Sequence, residues 1–120
     1  KIYVNYILKL VEKKLVNSSA HITGGGLIEN ITRSVPKNLT VNLDLSKIRV
    51  QKIFKWLKKE NIDDYEMLKT FNCGIGFCII VNKNNVKKIE SFFDKKYKPY
   101  KIGYISKSKR KIKLLNKIKW

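Results

Sequence analysis

Apolar side chains recur at Ile7, Leu8, Leu10, Val11 and Leu15 within residues 3–16, a spacing that fits an amphipathic helix. Residues 17–23 are short and mixed, with room for a brief strand at Ala20–Thr23. Three consecutive glycines, Gly24 to Gly26, then open into Leu27-Ile28-Glu29-Asn30-Ile31, a short helix that ends before Pro36. Val41, Leu43 and Leu45 alternate with polar residues, as in a strand with one buried face. Residues 49–60 carry Val50, Ile53, Phe54 and Leu57 as a helical stripe, with the charged residues mostly off it. Asp63-Asp64 is placed to cap a second short helix reaching about Lys69. Gly74 to Val81 is the longest apolar run and reads as a buried central strand. Val86, Ile89, Phe92 and Phe93 predict a helix over residues 85–95, and strands are expected at Tyr100–Ile105 and Lys111–Leu115. Trp56 and the Phe92-Phe93 pair are assigned to the core. This mixture of elements with short connections is met most economically by an α+β fold, a mixed β-sheet covered by helices.

Composition supports a packed domain. The chain has 120 residues, 43% of them apolar, enough for one compact core and against wholesale disorder. No apolar stretch approaches the ~18 residues of a membrane span, and Asn5, Lys9, Glu12 and Lys13 break any signal-peptide pattern. The chain starts at Lys1 rather than Met, and is expected to be a piece of a longer polypeptide.

The net charge of +18 would ordinarily point to nucleic acid or an anionic surface. Yet the excess comes from 24 Lys with only 3 Arg, alongside 16 Ile and 11 Asn. These abundant residues have A/T-rich codons, so a genome of low G+C content produces the bias without selection for binding. Arg, the better bidentate phosphate ligand, is scarce. A solvated lysine surface is therefore favoured over a polyanion footprint. The one dense basic run, Lys107 to Lys119, is either an edge strand kept soluble by lysine or a mobile tail. Cys73 and Cys78 lie five apart, on opposite faces if both sit in a strand, so no disulfide is expected between them. No CxxC pair or His cluster accompanies them, and free buried thiols in a reducing cytosol follow.

Two segments could carry chemistry. In His21-Ile22-Thr23-Gly24-Gly25-Gly26, glycine backbone can approach a ligand closely, and a following helix N-terminus favours an anion. His21 and Thr23 would add a proton donor and a hydroxyl; the alternative is a plain glycine turn with a hydrogen-bonded histidine. It is not a Walker loop, lacking the Gly-Lys-Ser/Thr ending. In Thr70-Phe71-Asn72-Cys73-Gly74-Ile75-Gly76, Asn72 sits at a helix-to-strand junction, and Gly74 and Gly76 would leave one strand face open to a ligand or to close packing. Cys73 is a weak candidate nucleophile, with only the remote His21 to activate it. Glu29, Asp63, Asp64 and Glu66 show no paired-carboxylate spacing and read as caps and helix-face salt links; no metal site is expected.

His21-Ile-Thr-Gly-Gly-Gly26-Leu-Ile-Glu-Asn30-Ile-Thr-Arg33 and Glu66-Met-Leu-Lys-Thr-Phe-Asn72-Cys-Gly74-Ile-Gly76 resemble motifs of the phosphoribosylformylglycinamidine cyclo-ligase family, the aminoimidazole ribonucleotide synthetases. Lys1-Ile-Tyr-Val4 with Leu8 resembles the start of that family's C-terminal domain, and Lys101-Ile-Gly103 with Ile105 its penultimate strand. The likeness runs in order through nearly the whole chain. Thr32 stands where the family usually has Pro, and Phe77 replaces a common Met, a tolerated apolar exchange.

The resemblance implies that residues 1–120 are a single C-terminal domain, preceded in the parent by an N-terminal domain that binds most of the ATP and Mg²⁺ and dimerises. It implies ATP-dependent closure of formylglycinamidine ribonucleotide to aminoimidazole ribonucleotide, releasing ADP and phosphate, in a cytoplasmic enzyme of purine biosynthesis. The formamide oxygen is phosphorylated, the amidine nitrogen attacks the activated carbon, and phosphate leaves. By that analogy His21 is the catalytic candidate. Thr23, Gly24, Gly25, Gly26, Asn30, Arg33 and Asn72 are the substrate-binding candidates, the glycines as backbone donors. Relatives of the same fold include formylglycinamide ribonucleotide amidotransferase, selenophosphate synthetase and thiamine monophosphate kinase, and fold alone would not separate them. A basic nucleic-acid-binding module is the other class of reading; it lacks a recognised motif and few exposed aromatics interleave with its lysines.

Overall fold

The computed structural model describes residues 3–120, so Lys1 and Ile2 of the opening motif lie outside it. Its centre is β2 (Leu39–Asp44), flanked by β4 (Gly103–Lys107) and β5 (Ile112–Leu115). β4 runs antiparallel to β2 and β5 parallel to it, giving the expected mixed sheet. Val41 and Leu43 fill the core on one face of β2. Thr40 and Asn42, on the other face, are also buried, and their polar groups are satisfied. The Thr40 hydroxyl donates to the Arg110 carbonyl, and Asn42 Nδ2 donates to Ser106 Oγ at 2.8 Å.

A second, two-stranded ribbon pairs β1 (Ser18–His21) antiparallel with β3 (Phe77–Ile80), with Ala20 opposite Cys78. Alternation along the ribbon serves two cores. Ala20 and Cys78 join the main cluster, with Leu27, Ile28 and Ile31 of α2 (Gly26–Arg33) and Met67 and Leu68 of α4 (Asp64–Thr70). Ile79 turns the other way, onto Leu10 of α1 (Val4–Glu12), Leu15, and Ile89 of α5 (Val86–Glu90). The α+β class is as the sequence pattern indicates; the strands, however, divide between two hydrogen-bonded ladders.

The apolar run at 74–81 is not a central strand. Cys73 and Gly74 take φ of +51° and +102°, outside the range of strand residues, so the chain turns there and joins the β1 ladder only at Gly76–Phe77. Among the described residues β3 has one partner. The helix expected over 49–60 shrinks to α3 (Lys52–Lys58), which rests Phe54 and Leu57 on the main core and leaves Ile53 exposed. Trp56 is 58% exposed and is not a core residue. Phe92 and Phe93 do pack on the second cluster, half-buried just beyond α5. On α1, Leu10 is buried, while Val4, Leu8 and Val11 form an exposed stripe.

Asp63 caps α4 as expected, its Oδ1 accepting from the N–H groups of Tyr65 and Glu66. The basic run 107–119 resolves as an edge strand, β5, anchored beyond its end. Ile118 is buried, and the Trp120 indole N–H donates to Asp64 Oδ1 at 2.8 Å. Lys58 Nζ lies 2.8 Å from the same carboxylate and 5.6 Å from the indole centroid. No helix among the described residues is long and apolar enough to cross a membrane.

Candidate functional site

Where β1 ends and β3 begins, the chain leaves a cleft of about 280 Å³ lined by Tyr3, His21, Ile22, Gln51, Asn72, Gly74 and Gly76. The turn at its floor is built locally. Asn72 Oδ1 accepts from Gly74 N at 2.9 Å, an Asx-type turn, and Ile75 N closes onto the Asn72 carbonyl at 2.9 Å. Ile22 N then bonds Gly76 O at 3.0 Å, extending the β1–β3 ladder by one link and setting His21 beside the floor. The His21 ring is exposed and lies 6.0 Å, centroid to centroid, from Phe77. None of the lining side chains is a carboxylate, a lysine or an arginine. A phenol, an imidazole and two amides therefore offer the hydrogen-bond donors and acceptors.

The glycine loop adjoins this cleft through Thr23 but does not line it. Asn30, from α2, reaches back so that its Nδ2 donates to the carbonyls of Gly24 (3.1 Å) and Gly26 (2.7 Å), with Thr23 O at 3.4 Å. Asn30 thus holds the loop carbonyls inward. Gly26 N donates to Thr23 O and Leu27 N to Phe71 O, so those two donors are engaged. The N–H groups of Gly24 and Gly25 have no partner among the described residues, and the Glu29 carboxylate stands close against Gly25. Gly26 itself is a packing residue: at φ +64° it is buried so closely on α4 that a Cβ there would collide with the Leu68–Lys69 backbone.

The sequence-chosen residues therefore fall into groups. His21 and Asn72 share the cleft; Thr23, Gly24 and Gly25 form the adjoining loop; Asn30 and Gly26 hold that loop in place. Arg33 stands at the far end of α2, exposed and paired with Glu29 at 2.6 Å. Sequence reading assigned no role to Tyr3 or Gln51. Tyr3 belongs to one of the recognisable segments, but Gln51, before α3, carries no signal of its own. Cys73 and Cys78 are both free and buried, their thiols pushed up to about 11 and about 12 by burial. Neither is suited to be a nucleophile.

An α+β domain with a polar cleft, free of lysine, arginine and carboxylate side chains, beside a glycine loop is the class these features define. Residues 1–114 match the family described as AIR synthase related protein, C-terminal domain, and the chain belongs to that family. It is 44% identical to a phosphoribosylformylglycinamidine cyclo-ligase of Fusobacterium nucleatum over 89% of this chain and 32% of that protein. Identity to the cyclo-ligase of Neisseria gonorrhoeae is 42%, over 77% of this chain and 27% of the relative. A trifunctional purine biosynthetic protein adenosine-3 of Bos taurus is 47% identical over 73% of this chain, which is 9% of its own length. The chain thus spans a third or less of these curated relatives.

Proposed function

We propose that residues 1–120 form the C-terminal domain of an ATP-dependent cyclo-ligase, which closes formylglycinamidine ribonucleotide to aminoimidazole ribonucleotide in the cytoplasm. The carrying observation is that two motifs some fifty residues apart in sequence deliver His21 and Asn72 to one cleft. The names of the relatives supply the reaction.

In this reading the Gly24 and Gly25 N–H groups and the Thr23 hydroxyl receive an anionic oxygen of the substrate or of the departing phosphate. Asn30 keeps the loop in the receiving shape. His21 moves the proton that ring closure must shed, and Asn72 orders the floor. Arg33 offers a guanidinium at the outer end of α2. Among the described residues no three His, Cys, Asp or Glu side chains converge on a metal position. These residues therefore do not fit a Mg²⁺ cage, and no step here runs through the metal; ATP and Mg²⁺ belong on an N-terminal domain of the same polypeptide, which also forms the homodimer.

The test is ADP release by the full-length protein with and without formylglycinamidine ribonucleotide. Release that depends on this substrate is expected, and His21→Ala should lower turnover by about 10²–10⁴-fold. Turnover within twofold of wild type would remove the proton-transfer role. No substrate dependence from folded protein would leave a fold relative with another substrate. Steeply salt-dependent binding of a polyanion would then favour the nucleic-acid reading.

A further inference from the structure

The Tyr3 hydroxyl is aimed across the cleft floor. It stands so close to the Cα of Gly76 that a Cβ at that position would overlap it, with the ring Cζ next at 3.3 Å. The ring is held from several sides. Its centroid lies 5.4 Å from Phe77 and 6.3 Å, edge-on, from Tyr97, which in turn packs 5.1 Å from Tyr6. Tyr6 stacks on Phe93 at 5.0 Å and donates its hydroxyl to Asp94 at 2.5 Å. A tyrosine fixed by this row of rings has little freedom to turn away. Its hydroxyl has no hydrogen-bond partner among the described residues. Burial, with Tyr97 and Cys78 nearby, raises its pKa, so it remains a donor at any physiological pH.

We propose that Tyr3 is a substrate-binding residue whose hydroxyl donates a hydrogen bond to an uncharged oxygen of the substrate, with the side-chain-free Gly76 leaving it room. The ligand portion follows from the lining. With no lysine or arginine in the cleft, its walls suit a carbonyl or hydroxyl oxygen such as the formamide or ribose oxygens. The phosphate then belongs to the glycine loop next door. This rests on the proposed cyclo-ligase reading and deepens it.

The experiment uses the full-length protein with formylglycinamidine ribonucleotide and three variants: Tyr3→Phe, Gly76→Ala and the double variant. Tyr3→Phe keeps the ring and removes only the donor. It should raise KM about three- to tenfold, the range for one lost neutral hydrogen bond, with kcat and Tm near wild type. Gly76→Ala should raise KM comparably by displacing the hydroxyl, and should lower Tm. In the double variant KM should be no worse than for Tyr3→Phe alone, and part of the lost Tm should return because the overlapping oxygen is gone. An unchanged KM in Tyr3→Phe, or fully additive KM effects, would overturn the proposal while the cyclo-ligase stood. A wild-type protein without substrate-dependent ADP release would overturn both.

Discussion

Adding one methyl group to the glycine loop should have very unequal consequences two residues apart. At Gly26 an alanine must adopt φ +64°, which costs an L-residue about 1–2 kcal/mol. Its Cβ would also lie 2.5 Å from the Leu68 and Lys69 carbonyl oxygens. Those atoms are backbone at the end of α4 and cannot rotate aside, so α2 and α4 must separate, an overpacking cost of about 1–3 kcal/mol. Reduced freedom of the unfolded chain returns about 0.4–1 kcal/mol. The net loss for Gly26→Ala is about 1–4.5 kcal/mol, roughly 4–18 °C in Tm for a chain of this size. At Gly24 no atom lies within 4 Å of the added carbon, so Gly24→Ala should stay within about 0.5 kcal/mol of wild type. Urea titrations and thermal melts of the 120-residue chain, followed by far-UV circular dichroism, measure both. A Gly26→Ala midpoint equal to wild type, or a Gly24→Ala loss as large as that of Gly26→Ala, would refute the assignment of one glycine to packing and the other to open space.

Two further results are expected. The hydrogen bond from Lys58, helped by that from Trp120 and opposed by partial burial, holds the Asp64 carboxyl below its usual range. A lowered folded pKa means the contribution is full above the ordinary carboxylate range and is lost as pH falls through the folded value. Wild type should therefore exceed Asp64→Asn in urea midpoint at pH 7, and the gap should close on acidification; a gap independent of pH would contradict it. Cys73 and Cys78, with thiols near 11 and 12, should resist dithiobis(nitrobenzoate) at pH 8 in the native protein and yield two equivalents in denaturant. Labelling of either within seconds under native conditions would show that it is not buried as described.

Local signals in the sequence were informative where local physics decides the outcome. The Asp63 cap, the glycine-to-helix transition at Gly26 and the edge strand at 112–115 all follow from nearest-neighbour chemistry. Helical periodicity located α1 and α3, but it marks a face as apolar without saying what covers it. Ile53, Trp56, Leu8 and Val11 are exposed for that reason. The run at 74–81 misled because a left-handed turn at Cys73, a residue with no turn preference, is imposed by the Asn72 side chain and by packing. The cleft itself was half legible. His21 and Asn72 announced themselves beside glycines, whereas Tyr3 and Gln51 arrive from distant parts of the chain through long-range packing.

The central position of β2 has a consequence for how the molecule is made. Its two partners lie some sixty residues or more downstream, and β1 waits a similar length for β3. At a synthesis rate of about 5–20 residues per second, β2 leaves the ribosome roughly 3–12 s before β4. For that interval Val41 and Leu43 lack the sheet that will cover them, and β2 presents two unpaired edges. Contacts this remote in sequence also make for slow closure once the chain is complete. Closure of this sheet must therefore wait for β5, where Lys113 and the neighbouring Lys111 and Lys117 place charge along one of the two edges the sheet leaves open.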